Sequence, residues 1–528
     1  MVFSSWTFAG LMVVFLPLYF LLRTHLFWRN ILLIATSYFF YGWWDWRFLI
    51  LVAVSTSVDY IAAIGASGQT VTPRDIAKSA YLLILTTIFS IAASGSLDFF
   101  LAGLVGGGVM LLVLIASAIR ALPSGHFARR SWLLLSLFTN LGILGFFKYF
   151  NFFADSLAAL LKLAGVAADH PTLAIILPVG LSFYTFQAIS RTIDSYRGEF
   201  LPKRSIVDYA AYHAFFPQLV AGPIERASHL MPQFETVLPI TWAMLRSGAM
   251  LFLWGLFQKV VVADNLAPLS DAVFNAPQGQ TGAATLVGIL AFSFQIYGDF
   301  CGYSNMARGL ARCLGFDLMR NFDLPYFSRS PQEFWRRWHI SLSRWLRDYL
   351  YIPLGGSRHG EAATYRNLMA TMLLGGLWHG AAWTFVAWGG FHGALQVVAR
   401  ALSIDRLLDE RKPDSIVNIA IHVAAWFATS IMIGIGWVFF RARSFADAAT
   451  ILGNCLSPTG YSFPAFATLL YYIAPLIIVE IWLRFQPSLP MLFREPPFLA
   501  RYSAAVCLVL GMMLLSAEGG RQFIYFDF

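Results

Sequence analysis

Residues 368–399 read LMATMLLGGLWHGAAWTFVAWGGFHGALQVVA, without one Asp, Glu, Lys or Arg. About 20 apolar residues cross the hydrocarbon of a bilayer, so this stretch, Leu368–Ala399, is long enough to span it. Two histidines interrupt it, His379 near the middle and His392 thirteen residues on. A lone histidine in a soluble core is usually structural. Inside a membrane span an ionisable side chain is costly and by default marks a functional path. His379, between Trp378 and Gly380, is therefore the first candidate for chemistry, and His392 is assigned to helix packing. Gly375, Gly376, Gly380, Gly389 and Gly390 let another backbone or a substrate chain come close.

The rest of the chain has the same character. Of its 528 residues 58% are hydrophobic, with the 41 glycines outside that count, and only 12% are charged. A water-exposed surface takes roughly 25–35% charged residues, so a soluble enzyme and a disordered chain are both excluded. The expected fold is all-α, a polytopic transmembrane bundle. Apolar runs recur at Trp6–Leu22, Ile31–Trp44, Phe48–Ala66, Ala80–Ala93, Phe99–Ala118, Trp132–Phe147 and Leu173–Ile189. Further on they fall at Thr241–Val262, Gly282–Ile296, Leu368–Ala399, Ile416–Phe440, Ala465–Leu483 and Ser503–Leu515. About 11–13 spans are expected, joined by re-entrant or interfacial pieces at 205–235 and 300–366. Irregular polar backbone at membrane depth survives only around a cavity or inside protein.

Charge sets the orientation. The loops that follow alternate spans carry Arg23, His25 and Arg29, then Arg74 and Lys78, then Arg120, Arg129 and Arg130, then Arg191, Arg197, Lys203 and Arg204. The positive-inside rule makes these loops cytoplasmic and the N-terminus external. The formal charge of +9 is then mostly loop charge, and no soluble basic module exists to bind nucleic acid. Cys301, Cys313, Cys455 and Cys507 are scattered without metal spacing, so neither a disulfide framework nor a metal site is expected.

Chemistry concentrates in the middle third. Pro331–Arg358 reads PQEFWRRWHISLSRWLRDYLYIPLGGSR; Trp335, Trp338, Leu342, Trp345 and Tyr349 form one helical stripe, with Arg336, Arg337, Arg344 and Arg347 largely off it. This is an interfacial amphipathic helix on lipid headgroups or a basic helix, ending in Gly355-Gly356, that holds donor phosphates. His339 sits beside the stripe. Phe215–Phe234, with three prolines and Glu225-Arg226, cannot be a lipid-facing helix and is expected as a buried loop. Asp299, Tyr303, Asn305 and Arg308 beside the next span are expected to satisfy one another as cavity scaffold. Nucleotide-loop, nucleophile-elbow and metalloprotease motifs are missing, which leaves two histidines suited to acid–base work.

Taken together, FWRRWHISLSRWLRDYLYIPLGG, LLGGLWHGAAWTFVAWGGFHG, FFPQLVAGPIER, LPVGLSFYTFQAISRTIDSYRGE and QIYGDFCGYSNMARGLARCLGF resemble the membrane-bound O-acyltransferase (MBOAT) family, in its bacterial alginate O-acetyltransferase-like branch. The blocks run in order from about Leu177 to Gly393, and the FIYFDF end suits that branch. The resemblance implies N-terminal transmembrane helices at 1–170, a catalytic core at 171–400 and C-terminal transmembrane helices at 401–528, one integral unit around a funnel or tunnel in a bacterial inner membrane. It places the family's membrane histidine at His379 and a second at His339. Arg336, Arg337 and Arg344 of the basic helix, with Trp378 and Asn367, are the candidate substrate contacts. The resemblance implies no bound cofactor but an acyl donor such as acetyl-CoA as substrate, and O-acetylation of an exopolysaccharide such as alginate or cellulose. Its implied partners are an extracytoplasmic acetyltransferase and a polysaccharide synthesis and export complex. Alternatives are D-alanyl or other acyl transfer to an envelope polymer or lipid, and, from another class, a histidine-dependent transporter. The transporter predicts repeats and paired intramembrane acids, neither evident in the sequence.

Overall fold

The computed structural model describes residues 1–94, 99–166, 172–457, 460, 463–485, 498–517 and 521–524. Among them every regular element is a helix. Eight helical runs are long and apolar enough to cross a membrane, and Trp6–Leu22 and Tyr502–Leu515 are shorter apolar helices. The chain is thus a multi-pass membrane protein. Its contacts divide it into two compact units, Met1–Thr241 with Leu314–Leu318, and Trp242–Cys313 with Met319–Phe528.

The first unit comprises α1 (Trp6–Leu22), α2 (Leu26–Gly42), α3 (Leu49–Ala66), α4 (Pro73–Ser94), α5 (Phe99–Arg120), α6 (His126–Leu144), α7 (Phe150–Leu163) and α8 (Leu181–Arg197). The short helices α9 (Ile206–His213), α10 (Phe216–Leu219) and α11 (Ala227–Phe234) follow. Helix α3 is buried along almost its whole length because its small residues let α4, α6 and α8 close round it. Its Asp59 accepts hydrogen bonds from Ser136, from Asn140 at 2.8 Å and from Ser55 at 3.2 Å. Buried polar groups are found with such partners because an unpaired one costs its full desolvation.

Two basic residues counted above as cytoplasmic loop charge are buried inside the unit. Arg29 is 1% exposed and donates to the carbonyls of Gln233 and Phe234 in the last turn of α11 and of Thr236 just beyond it, where helix carbonyls lack internal partners. Arg191 is fully buried, donates to the Asp59 carbonyl at 2.9 Å and lies 3.8 Å over the Tyr209 ring. The loop expected over 215–234 is confined to residues 220–226: helices α10 and α11 take up most of the stretch, and the buried turn between them has Glu225 accepting from His229 Nδ1 at 2.8 Å.

In the second unit α12 (Trp242–Phe257) passes through a π-helical turn, Gln258–Ala263, into α13 (Asp264–Phe274), followed by α14 (Gly282–Cys313), α15 (Pro331–Arg337), α16 (Ile340–Leu346), α17 (Gly360–His379) and α18 (Trp383–Ala401). The unit closes with α19 (Ile404–Glu410), α20 (Ile416–Arg441), α21 (Phe445–Cys455), α22 (Phe463–Phe485) and α23 (Phe498–Leu515). Helices α12 and α14 meet backbone to backbone: a Cβ on Gly255 would lie 2.4 Å from the Gly302 carbonyl oxygen, and one on Gly248 2.6 Å from that of Gly309. Such approach takes small residues.

The 368–399 stretch is not one span. Helix α17 ends at His379 and α18 starts at Trp383, and the two fold back as an antiparallel hairpin. A Cβ on Gly376 would stand 2.3 Å from the Phe385 carbonyl, and one on Gly389 2.2 Å from that of Met372. These glycines admit a neighbouring backbone rather than a substrate.

Candidate active site

The single stripe-bearing helix expected over 335–349 is broken at its histidine. Trp338 is extended and His339 takes the left-handed conformation, φ 44°, ψ 54°, so α15 stops and α16 starts in a new direction. Asn321 fixes the restart: its carbonyl accepts from the Ile340 N–H at 2.9 Å, and its side-chain oxygen from the Ser341 N–H at 3.2 Å and hydroxyl at 3.0 Å. Histidine tolerates this region better than most residues, but such a conformation still costs about 1–3 kcal/mol and is held by its surroundings.

The break turns the His339 ring towards the hairpin. Its centroid lies 4.6 Å from Phe300, edge to face, 6.0 Å from Trp378 and 6.2 Å from His379. His379, last residue of α17, is packed by Trp378 at 4.9 Å, Trp388 at 5.0 Å and Phe440 at 5.5 Å. The two imidazoles, forty residues apart in sequence, thus share one aromatic cage with Trp378 touching both. His392 lies across Trp388 from His379, at 4.9 Å from that indole and 5.2 Å from Trp335. Neither of its ring nitrogens has a hydrogen-bond partner among the described residues.

The other expected contacts lie apart from the pair. Arg336 is ion-paired with Asp405 at 2.7 Å, Arg337 with Glu333 at 2.9 Å, and Arg344 is exposed on α16. The two arginines beside Glu333, Arg329 and Arg337, keep its carboxyl below the usual range despite burial. Asn367 ties the glycine turn, donating to the Gly356 carbonyl at 3.0 Å. It is twelve residues before His379, about 18 Å down the helix.

Beside the cage lies a cavity of about 580 Å³. Phe385 and Phe440 form the wall on the His379 side; the floor is Lys259, Asp264 and Asp299, and the rim Asp271, Asn275, Arg441, Arg443 and Arg521. Lys259, 6% exposed, is clasped by Asp264 at 2.9 Å and Asp299 at 2.8 Å. Asp299 also accepts from the Ile524 N–H at 2.6 Å, and Lys259 donates to the Gln522 carbonyl at 3.2 Å, so residues 522–524 are strapped to the floor. Phe523 then packs on Phe300 and Tyr303. The rest of the FIYFDF end, 525–528, lies outside the described residues.

Three expectations change here. Asp299 and Asn305 do not satisfy their sequence neighbours: Asp299 serves Lys259 and the C-terminal strap, and Asn305 donates to Gln258 at 2.8 Å. Paired buried acids do exist, Asp264 and Asp299, around a lysine inside a run counted as an apolar span. That lysine was itself the missed signal, since a charge at membrane depth marks a site. Finally, neither imidazole lines the cavity; among the described residues Phe385 and Phe440 stand between it and His379, where an open tunnel to both histidines was expected.

The model of the MBOAT, membrane-bound O-acyltransferase family, matches residues 199–440, which contain both histidines. A probable alginate O-acetylase AlgI of Pseudomonas putida is 40% identical over 460 residues, 87% of this chain and 80% of that protein. This chain belongs to the MBOAT family. A peptidoglycan O-acetyltransferase of Helicobacter pylori is 34% identical over 450 residues, 76% of this chain and 83% of its own. A teichoic acid D-alanyltransferase of Streptococcus thermophilus is 29% identical over 228 residues, 41% of this chain and 55% of its own. An MBOAT protein of this AlgI-like kind is a membrane-embedded O-acyltransferase that uses an acyl donor.

Proposed function

We propose that this MBOAT enzyme moves an acetyl group from a cytoplasmic thioester, acetyl-CoA, to an acceptor hydroxyl for O-acetylation of an exopolysaccharide such as alginate. The observation that carries the reading is the His339–His379 pair, 6.2 Å between ring centroids in one aromatic cage. The acceptor O–H gives its proton to His379 as its oxygen attacks the thioester carbon. The new O–C bond forms, the C–S bond breaks, and the thiolate leaves with a proton returned from the imidazolium. His339, beside Trp378 and facing the same cage, orients the acceptor or the departing thiol. Positioned acid–base groups contribute about 10²–10⁴-fold, and a cage of indole and phenyl rings excludes the water that would hydrolyse the thioester.

The orientation follows from charge. The ends of α17, α18 and α20 away from His379 carry Arg358, Arg366, Arg400, Arg411 and Lys412. The positive-inside rule makes those ends cytoplasmic, so the donor enters there, within reach of Arg336, Arg337 and Arg344, and the cavity faces outward. The protein then sits in a bacterial inner membrane and hands its product to an extracytoplasmic acetyltransferase or export complex. The test is the acetyl ester content of the secreted polymer in a strain carrying His379→Ala at matched expression. Loss of ester supports the reading, and normal ester content overturns it.

A further inference from the structure

Glu480 is the one acidic residue among the 23 of α22. It is 5% exposed, and its carboxylate accepts from the Tyr297 hydroxyl of α14 at 2.5 Å. It lies beyond residues 199–440, which the family model matches, and the acyl-transfer step does not use it. An ionisable side chain inside a membrane span is costly and by default functional. Stability alone does not ask for this one, because replacing both partners of a buried hydrogen bond by apolar groups of the same shape is nearly neutral. What the bond fixes is a ring. Tyr297 is buried, with its ring centroid 5.3 Å from Tyr326, 5.8 Å from Phe322 and 6.1 Å from Trp338. Trp338 is the extended residue immediately before His339.

Tyr297, Phe300 and Ser304 follow one another at spacings of three and four, so they share one face of α14. Each bears on the helix break at His339. Tyr297 packs against Trp338, whose indole also stacks on Phe334 at 5.5 Å. Phe300 stands edge to face on the His339 ring at 4.6 Å. Ser304 accepts from Asn321 Nδ2 at 3.3 Å, and Asn321 in turn caps α16. We infer that Glu480 is a positioning residue for the acyl transfer: by holding the Tyr297 hydroxyl it fixes the ring against which Trp338 packs, and through Trp338 the direction of the His339 imidazole. A Tyr297 ring released from Glu480 turns about its side-chain torsions, Trp338 follows the space, and the step into the left-handed backbone at His339 loses a support. A displacement of about 1 Å in a group that must meet the reacting atoms costs about 10²-fold in rate. The inference rests on His339 acting in the transfer, as proposed above, and asks nothing of the acceptor's identity.

The test is thiol release from acetyl-CoA by the full-length protein in proteoliposomes with a saccharide acceptor, resolved into kcat and KM and set beside the melting temperature. Glu480→Leu should lower kcat by about 10–10²-fold with KM for acetyl-CoA little changed. Glu480→Gln, whose amide oxygen still accepts from Tyr297, should keep most of the rate. The double variant Tyr297→Phe/Glu480→Leu removes both polar groups together; it should melt near the wild type and yet stay as slow as Glu480→Leu. In a His339→Asn background Glu480→Leu should cost little more, because both changes remove the same contribution. Acetyl ester on the polymer secreted by strains carrying these variants should fall in the same order, whatever the donor. Three results would overturn the inference: Glu480→Gln as slow as Glu480→Leu, a double variant whose rate recovers with its stability, or Glu480 and His339 effects that multiply in full. A wild-type kcat in His339→Asn alone would overturn it too, and would place the failure in the role given to His339, so the two failures are separately visible.

Discussion

Lys259→Met removes the one cation from a buried group whose other members are Asp264 and Asp299, 4% and 2% exposed. In the native protein the ammonium is within 2.9 Å of one carboxylate and 2.8 Å of the other, and it donates to the Gln522 carbonyl besides. After the substitution two carboxylates face each other in the same space. Breaking a buried ion pair from one side costs about 3–5 kcal/mol, most of it the charge left behind. The expected result is a fall of several degrees in the thermal midpoint in detergent, read by tryptophan fluorescence. Asp264→Asn alone should be mild, because Lys259 keeps Asp299 and the group becomes neutral. The double variant Lys259→Met/Asp264→Asn should recover much of the loss, giving a coupling of about 0.5–3 kcal/mol, as for residues sharing one network. A Lys259→Met protein that melts with the wild type, or a double variant no better than the single, would refute the idea that this triad is a closed ionic group.

The left-handed backbone at His339 predicts that His339→Asn keeps the fold whereas His339→Val loses about 1–3 kcal/mol, measured by the same melting assay, while both lose activity. Phe440→Leu thins the wall between cavity and His379 and should raise hydrolysis of acetyl-CoA without acceptor, seen as free thiol release. In the first unit the carboxylates of Asp317 and Glu225 push the His229 imidazole up to about 10. A raised histidine contributes its stabilisation fully below the unfolded value, about 6.5, and loses it as pH climbs through the folded one. Limited proteolysis of the 225–234 region should therefore accelerate between about pH 6.5 and about 10, and His229→Gln should flatten that dependence. Gly389→Val would place atoms against the Met372 carbonyl, 2.2 Å from the first added carbon, and should abolish accumulation of the folded protein.

The membrane character, the helical class and the two histidines were legible because each has a local signature: apolar runs, low charge, and an ionisable group where charge is costly. Their proximity was not. The helical period runs unbroken from Trp335 to Tyr349, so nothing local announces that Asn321, from a distant segment, caps a new helix at Ile340 and turns His339 inward. The break after His379 had only Gly380 to mark it; there a Cβ would meet the Phe385 ring at 2.1 Å. Arg29 and Arg191 were counted as loop charges because a charge count carries no partner information, and their partners are backbone carbonyls far along the chain. The cavity floor was hidden for a different reason. Lys259 stands in a run apolar enough to average it away; Asp264 follows five residues on along the same helical run, but Asp299 lies on α14.

The central claim is that the His339–His379 pair carries out acetyl transfer, and its most direct measurement is release of free thiol from acetyl-CoA by the purified protein in proteoliposomes with a saccharide acceptor. The account predicts that His379→Ala lowers the rate by at least about 10²-fold while acceptor binding and melting temperature stay at wild-type values. Thiol release by His379→Ala at the wild-type rate, with the protein equally abundant and equally stable, would contradict it.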